Sequence, residues 1–335
     1  MKFKQWIDIW LNKYEKNILK LRTYYKYEQT IRNHIIPVLG EYNLRELSSQ
    51  VLQDFVVSQF EHGNPITGGN LAISTVQNMI SIIKRCLRKA VALDIVDKEY
   101  ASTIVLPKGT EKSVSAFEKS DQKVLESYCL NHTKKNYLGI IICLYTGIRI
   151  GELLALRWDD IDFKNRMMHI TKTACIIRRM QKKIVIIDKP KTKTSFRVIP
   201  IPRQLLAVLR KMKGKNGAEY VVETRNHKMV EERSYQRTFK CILRRIGVPY
   251  HNFHSLRHTF ATRALEMGMD VKTVSEILGH KNTSMTLSRY THSMLPHKTD
   301  MMNKLGKQLL DQNFNEEQVA NMWLPLYIPK PYLFS

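Results

Sequence analysis

The sequence YTGIRIGELLALRW, residues 145–158, joins two helical patterns at a single break. The break is the Thr-Gly pair at 146–147, and we predict a new helix over 149–158. Its apolar face consists of Ile150, Leu153 and Leu154. Arg149 and Glu152, three residues apart, share another face of the helix. An arginine near a helix N-terminus lies where phosphate binds favourably, whereas a surface ion pair with Glu152 is the plainer alternative.

Outward from this stretch, the chain is predicted to be mainly α with a small antiparallel β-sheet. Residues 120–131 and 137–145 place apolar residues at helical spacing. Three segments rich in Ile, Val and Thr then indicate a three-stranded sheet, at 167–177, 183–188 and 196–201. Helical patterns return after the sheet, at 203–212, 231–246, 254–267, 271–278 and 285–290.

The first hundred residues show helical patterns, and a polar segment with Pro and Gly at 106–113 interrupts the periodicity. We therefore predict a helical domain over 1–108, a second domain over 109–300 and a C-terminal tail over 301–335. The tail ends in an apolar, proline-broken run, which either packs on its own domain or docks on a neighbouring subunit.

Charge is the strongest global signal of the chain. The 335 residues contain 54 Lys and Arg against 30 Asp and Glu, a net charge of +24. Such a field favours a polyanionic partner, because each phosphate that is neutralised releases counterions. No apolar run is long enough to span a membrane and the start has no signal-peptide core, so we expect a cytoplasmic protein without a membrane partner.

The five cysteines are odd in number, widely scattered and without a CxxC pair. This pattern favours neither a disulfide framework nor a structural zinc site. We expect all five to be reduced core residues. They are Cys86, Cys129, Cys143, Cys175 and Cys241.

A second motif, HSLRHTFAT at 254–262, places His254, Arg257 and His258 at positions i, i+3 and i+4 of a predicted helix. One alternative is a surface helix, and another is a zinc site formed with His251. Farther along the chain, LGH ends at His280 and SRYTH contains Tyr290. Each of these residues alone would be ordinary.

Together, the strings TGIRIGELLALRW, HSLRHTFAT, LGH and SRYTH resemble the signature boxes of the tyrosine recombinase (phage integrase) family in type, order and approximate spacing. The first hundred residues are similar to the core-binding domain of integrases from phages and conjugative transposons. Residues from about 115 to 295 are similar to the catalytic domain. The resemblance thus implies a helical core-binding domain followed by an α+β catalytic domain.

The resemblance also implies the chemistry. In this family a tyrosine, here Tyr290, attacks a DNA phosphate to form a 3'-phosphotyrosine, and strands are exchanged through a Holliday junction. No cofactor is expected, because the ester keeps the bond energy without ATP or metal. Arg149 and Arg257 would hold the phosphate, while His254 and His280 would donate hydrogen bonds or transfer protons. Glu152 would orient Arg149 or His254 without itself contacting the phosphate.

The family protonates the departing 5'-oxygen with a lysine of the sheet hairpin. Lys191 and Lys193 are both candidates, because hairpin lengths vary too much for spacing to decide. We favour Lys191, and the alternative is that both lysines coat the DNA.

The implied partners are a double-stranded DNA target site and a homo-tetramer assembled on it. A directionality factor or a DNA-bending protein is a further possible partner. The tail over 301–335 is expected to dock on the adjacent protomer. The larger integrases carry an additional N-terminal domain for arm-type sites, whereas this sequence begins almost at the core-binding pattern; we expect either that this domain is missing or that the protein is a shorter relative.

Three other functions remain open from sequence. A type IB topoisomerase-like enzyme would form the same phosphotyrosine without exchanging strands. A catalytically silent DNA-binding accessory protein would keep the fold alone. A metal-dependent nuclease would use the carboxylates of Asp159, Asp160 and Asp162.

Overall fold

The computed structural model describes residues 1–64, 67–106, 116–132, 135–179, 182–188, 196–213, 219–280, 282–283, 299 and 301–306. Backbone contacts divide the chain into two compact units. The N-terminal unit comprises Met1–Ser113 and Cys175–Ile186, and the C-terminal unit comprises Val114–Ala174 and Ile187–Ser335.

The N-terminal unit is built from helices around a buried aromatic and aliphatic core. The helix α4 (Ser49–His62) begins after Ser48, whose side chain accepts a hydrogen bond from the Val51 backbone N–H at 3.3 Å. The indole N–H of Trp6 donates to the Cys86 carbonyl at 3.2 Å, which links α1 (Phe3–Ile9) to α5 (Ile73–Val91). The helices are α1 (Phe3–Ile9), α2 (Leu21–Thr30), α3 (Ile36–Leu39), α4 (Ser49–His62) and α5 (Ile73–Val91), with π-helical turns at Trp10–Glu15 and Ile31–Ile35.

The C-terminal unit is also mostly helical, which confirms the predicted fold class. Its helices are α6 (Lys119–Leu130), α7 (Lys135–Thr146), α8 (Ile150–Ala155), α9 (Arg203–Met212), α10 (Glu232–Arg245), α11 (Ser255–Glu266) and α12 (Val271–Leu278). The prediction that α8 extends to residue 158 is wrong. Leu156 has extended backbone, with ψ of 127°, and its carbonyl accepts a hydrogen bond from the Val221 N–H. Residues 158–160 then form a separate 3₁₀ turn.

The strands form two small sheets instead of the single three-stranded sheet that we predicted. In the first sheet, β2 (Met167–Ile170) pairs antiparallel with β1 (Ile161–Asp162) on one side and β5 (Arg197–Pro200) on the other. β3 (Thr173–Arg179) and β4 (Lys182–Asp188) form the second sheet. The segment 167–177 therefore contributes to both sheets, because residues 171–172 leave the ladder after β2.

The core of the C-terminal unit is centred on α7, which packs against α6, α9 and α11. Ile140, Ile142 and Cys143 of α7 are at most 1% exposed. The expectation that all five cysteines are core residues is wrong for Cys241, which is exposed. The apolar face of α10 passes through Phe239 and Ile242, so position 241 faces solvent. Cys86 and Cys129 are buried, and Cys175 is half-buried.

None of the helices that the structure describes is both long enough and apolar enough to cross a membrane.

Gly139 tests how tightly α7 is packed. A Cβ at this position would lie 2.3 Å from the Tyr235 hydroxyl and 2.9 Å from Leu153 Cδ2. Gly139→Ala should lower the free energy of unfolding by about 1–3 kcal/mol, because this overlap outweighs the roughly 1 kcal/mol gain in helix propensity. Urea unfolding followed by circular dichroism measures the change. A matched Gly69→Ala variant, with space for its Cβ, should stay within about 0.5 kcal/mol of wild type. A Gly139→Ala chain as stable as wild type contradicts the packing account.

Candidate active site

Arg149 lies at the N-terminal end of α8 and is partly exposed. Its backbone N–H donates to Glu152 Oε2 at 2.9 Å, and its Nη1 donates to Glu152 Oε1 at 2.9 Å. Its Nη2 donates to the Gly279 carbonyl at 3.0 Å. The side chain is 37% exposed. The ion pair between Arg149 and Glu152 that the spacing suggests is present. Its carboxylate is buried and also binds Arg197, so it is part of a buried network and not a surface pair.

Glu152 lies at the centre of this network, and its side chain is only 4% exposed. Arg197 on β5 donates Nη1 to Oε1 at 3.1 Å and Nη2 to Oε2 at 2.8 Å. Burial alone would raise the pKa of the Glu152 carboxyl, but the hydrogen bonds and charges of Arg197 and Arg149 outweigh burial and lower that pKa below its ordinary value. The carboxylate is therefore ionised at neutral pH.

Arg197 is a site residue that the sequence analysis missed. The signal was present, because Arg197 and Ile199 lie two residues apart in a predicted strand and therefore share a face. Ile199 is 2% exposed, so this face points into the core. An arginine on the inward face of a strand requires a buried anion or several carbonyl acceptors.

Arg257 lies within α11 and is 3% exposed. Its Nη1 donates to the Gly147 carbonyl at 2.8 Å and its Nη2 to the Leu278 carbonyl at 2.7 Å. Gly147 has φ of +65°, and a Cβ there would lie 2.6 Å from both Phe260 Cδ1 and Leu278 Cδ2. The Thr-Gly break that was read from sequence thus has a steric cause, and it presents a carbonyl to Arg257.

The three arginines meet at the C-terminal end of α12, and we call them the arginine cluster: Arg149, Arg197 and Arg257. Three consecutive carbonyls accept from them: Ile277 from Arg197 Nε at 2.5 Å, then Leu278 from Arg257 and Gly279 from Arg149. The carbonyls at a helix C-terminus carry partial negative charge, which favours cations there. The end of α12 thereby fixes three guanidinium groups in one place.

His280 follows the end of α12 directly. Gly279 ends the helix in the left-handed conformation with φ of 66°, and the His280 backbone N–H donates to the Ser275 carbonyl at 3.0 Å. His280 and Arg197 both line a cleft of about 360 Å³. The predicted site residue His280 therefore lies beside the arginine cluster.

His254 is exposed and precedes α11, one turn before Arg257. Its ring centroid lies 4.8 Å from that of His258, with the ring planes nearly perpendicular. His251, the third residue of the alternative zinc site, packs its ring on Phe117 at 4.1 Å. Across the part of the chain that the structure describes, no three His, Cys, Asp or Glu side chains are grouped as a metal site.

Two of the three aspartates proposed for a metal-dependent nuclease, Asp160 and Asp162, accept local hydrogen bonds. Asp160 Oδ2 accepts from the Arg157 backbone N–H at 2.9 Å. Asp162 accepts from the backbone N–H groups of Lys164 and Asn165, both at 2.9 Å. The hydrogen bonds from Asn165, foremost the one from its backbone, lower the pKa of the Asp162 carboxyl. The Asp162 contacts close the turn between β1 and β2, and the Asp160 contact caps the 3₁₀ turn before β1.

The structure thus brings Arg149, Glu152, Arg257 and His280 together, with His254 at the start of α11. Lys191, Lys193 and Tyr290 lie outside the described residues, as do the predicted helix over 285–290 and the apolar end of the tail.

Comparison with known proteins identifies the class. Residues 115–296 match the phage integrase family, and residues 2–58 match the N-terminal SAM-like domain of phage integrases. The first match alone covers more than half of the chain, so the chain belongs to the phage integrase family. The resemblance read from the four motifs is confirmed, and with it the class of enzyme, which cleaves and rejoins DNA.

Individual relatives agree with this assignment. A XerC-like tyrosine recombinase from Caldanaerobacter subterraneus is 29% identical, over 89% of this chain and 81% of the relative. The transposase from transposon Tn916 of Enterococcus faecalis is 28% identical over 64% of this chain, which spans 54% of that relative. The Tn1549 transposon integrase in complex with transposon right end DNA has a TM-score of 0.75 at 23% identity, over 91% of this chain and 100% of that one. A lambda integrase tetramer bound to a Holliday junction has a TM-score of 0.64 at 16% identity, over 84% and 78%.

The lowered pKa of Glu152 predicts a pH-dependent contribution to stability. A carboxylate with a folded pKa below its ordinary value of 4.5 stabilises the fold fully above about pH 4.5, and this contribution is lost as the pH falls through the folded pKa. Glu152→Gln should therefore cost about 3 kcal/mol or more at pH 7, because it leaves buried arginine charge uncompensated. The difference from wild type should shrink below about pH 4.5 in urea titrations.

The control for this titration is Glu118→Gln, which removes an exposed carboxylate of the same unit. It should change the free energy of unfolding by less than about 0.5 kcal/mol. A pH-independent difference between Glu152→Gln and wild type would show that the charge of Glu152 is not what stabilises the network.

Proposed function

We propose that this chain is a site-specific DNA recombinase that integrates and excises a mobile element, cleaving and rejoining DNA through a 3'-phosphotyrosine. The observation that carries the proposal is the arginine cluster. Three guanidinium groups converge on one helix end, and two of them share a single buried carboxylate. This arrangement keeps positive charge in place before a phosphate arrives, which is what transition-state stabilisation requires.

Arg149 and Arg257 are proposed to hold the scissile phosphate. Arg257 bonds to the carbonyls of Gly147 and Leu278, which orient its guanidinium without carrying a net charge. Arg149 is oriented by Glu152 and Gly279 and remains 37% exposed. Guanidinium groups match the non-bridging oxygens of phosphate in geometry, and losing one preorganised donor typically costs about 3–4 kcal/mol of barrier.

The proposed reaction uses Tyr290 as nucleophile. Its hydroxyl oxygen forms a bond to phosphorus while the bond from phosphorus to the 5'-oxygen breaks. The tyrosine proton passes to a nearby acceptor, for which His254 is our candidate, and the 5'-oxygen takes a proton from Lys191, with Lys193 as the alternative. His280 donates a hydrogen bond to the phosphate. A different 5'-hydroxyl then attacks the ester, which restores a phosphodiester and frees Tyr290.

A basic face on α10 supports a duplex as the substrate. Arg233, Arg237, Lys240 and Arg244 recur at helical spacing, and all four are exposed. The Lys240 ammonium lies 5.4 Å from the ring centroid of the exposed Tyr250. A row of cations along one helix can neutralise several DNA phosphates and release their counterions. We propose that this face contacts the target duplex beside the cleavage point.

The relatives support the remaining parts of the proposal. The similarity to Tn916 and Tn1549 proteins favours a mobile element, and the lambda integrase tetramer on a Holliday junction favours assembly of four copies on DNA. We propose that residues 1–108 bind the core-type site, that 109–300 carry out catalysis and that 301–335 dock on the neighbouring protomer. We also propose that a directionality factor or a DNA-bending protein is a partner, and that the protein is cytoplasmic.

Tyr290→Phe tests the nucleophile. A labelled duplex with a nick next to the cleavage point traps the covalent complex. Cleavage releases the short fragment that carries the 5'-hydroxyl, and once this fragment has diffused away it cannot attack the phosphotyrosine. Wild-type protein should yield a band of protein linked to DNA on a denaturing gel, and Tyr290→Phe should bind the same duplex without forming this band. A covalent band from Tyr290→Phe would rule out Tyr290 as nucleophile.

Lys191→Ala and Lys193→Ala identify the general acid. Both variants are tested on a duplex whose leaving group is a 5'-thiol, which needs no proton to depart. This duplex should restore cleavage only in the variant that lacks the catalytic lysine.

The same duplexes separate recombination from its competitors. Two differently labelled targets should yield exchanged strands with wild-type protein. Relaxed circles without exchange would point to a topoisomerase-like enzyme, and binding without any covalent product would point to an accessory protein.

The α10 face gives a prediction about salt dependence. Arg237→Gln and Lys240→Gln should each lower the slope of log affinity against log salt by about 0.9, as expected for the loss of one phosphate contact. Fluorescence anisotropy with a labelled duplex at several salt concentrations measures this slope. Lys211→Gln removes one exposed charge at the end of α9 and should leave the slope unchanged. Equal slopes for all three variants and wild type would exclude α10 from the DNA interface.

A further inference from the structure

Arg197 occupies the inner side of the arginine cluster. Its side chain is 6% exposed, whereas that of Arg149 is 37% exposed. It donates both terminal nitrogens to Glu152 and its Nε to the Ile277 carbonyl. All three donor nitrogens of this guanidinium therefore have described acceptors inside the protein, and the group faces the carboxylate instead of the solvent.

The two arginines that share Glu152 differ in how they bind it. Arg197 forms a bidentate pair with both carboxylate oxygens of Glu152, at 3.1 and 2.8 Å. The guanidinium of Arg149 donates to Oε1 alone, at 2.9 Å, and its Nη2 donates to Gly279. Bidentate pairs between arginine and carboxylate are stronger and more directional than pairs with a single hydrogen bond. The negative charge of Glu152 is thus compensated mainly by the buried arginine.

We propose that Arg197 is a positioning residue for DNA cleavage: it compensates the charge of Glu152 and anchors the end of α12, which leaves the charge of Arg149 available to the scissile phosphate. This inference rests on the proposed function. It assigns a role in the reaction to a residue that would not itself touch DNA.

Charge balance explains the role. Without Arg197, the buried Glu152 carboxylate would be paired by Arg149 alone, because a buried charge requires a partner. Arg149 would then be drawn inward, and its field at the phosphate would be largely cancelled. The transition state carries more negative charge on the phosphate oxygens than bound DNA does, so cleavage should suffer more than binding.

Geometry explains why the residue is an arginine. One planar group reaches the two oxygens of Glu152 and the carbonyl of Ile277 at the same time. A lysine has the charge, but its single nitrogen lacks this planar fork. The Ile277 carbonyl lies in the last turn of α12, two residues before Gly279, so its bond to Arg197 also supports the segment that holds Arg149 and His280.

The test measures single-turnover formation of the covalent complex on the nicked duplex, at saturating protein, together with duplex affinity at several salt concentrations. Arg197→Gln should slow cleavage by about a hundredfold, the typical effect of misplacing a catalytic group by about 1 Å. Affinity and its salt slope should stay near those of wild type, because the Arg197 guanidinium is almost fully buried and is proposed to act on Glu152 and not on a DNA phosphate. Arg197→Lys keeps the charge and the aliphatic stem; it should fold normally and still cleave at least about tenfold more slowly.

The double variant Arg197→Gln with Glu152→Gln provides the decisive comparison. Removing the buried carboxylate frees Arg149 from its pull, so the double variant should cleave faster than Arg197→Gln alone. A residue that served only the stability of the fold would give the opposite order. Arg263→Gln is the matched control, since Arg263 is a mostly buried arginine of α11 with bonds to Gln122, Glu266 and the Phe117 carbonyl. It should lower the unfolding midpoint while its folded fraction cleaves at the wild-type rate.

Four results would overturn the inference. They are wild-type cleavage rates in Arg197→Gln, wild-type rates in Arg197→Lys, a double variant no faster than Arg197→Gln, and a salt slope in Arg197→Gln reduced by about one, which would make Arg197 a direct phosphate contact. Failure of the proposed function is distinguished from all of these, because wild-type protein itself would then form no covalent complex.

Discussion

The constraint on which the site depends is the C-terminal end of α12. Three carbonyls in sequence, from Ile277 to Gly279, each accept a hydrogen bond from a different arginine, and these arginines come from β5, α11 and the start of α8. Like charges repel, so such a group forms only where helix carbonyls and a carboxylate compensate it. The fold supplies both, and the result is a positive site that exists before DNA binds.

Two local features make this convergence possible. Gly147 adopts a left-handed conformation that is strained for other residues, and the surrounding side chains leave no room for a Cβ. Its carbonyl accepts a hydrogen bond from Arg257. Gly279 turns the chain at the end of α12 and places His280 next to the cluster. Helix ends therefore supply the carbonyl acceptors that fix the arginines, because the last carbonyls of a helix have no partner within it.

Much of this arrangement could be predicted from sequence, since the motifs are local. The helix break at 146–147, the start of the helix at Arg149 and the pairing with Glu152 follow from residues a few positions apart. Arg197 could not be assigned in the same way, because its partners Glu152 and Ile277 lie 45 and 80 residues away along the chain. The division of the strands into two sheets was missed for a similar reason: strand pairing depends on distant segments, whereas helical periodicity does not. The exposure of Cys241 depends on which face of α10 meets the core, and the flanking residues Phe239 and Ile242 show this only in retrospect.

A structure of the protein bound to a nicked duplex that traps the cleavage step tests most directly whether the arginine cluster binds the scissile phosphate. We expect the non-bridging oxygens of this phosphate to accept hydrogen bonds from Arg149 and Arg257, while Arg197 keeps its bonds to Glu152 and Ile277. A scissile phosphate bound away from the end of α12, or held by Arg197 with its bonds to Glu152 broken, would show that the cluster does not act in this way.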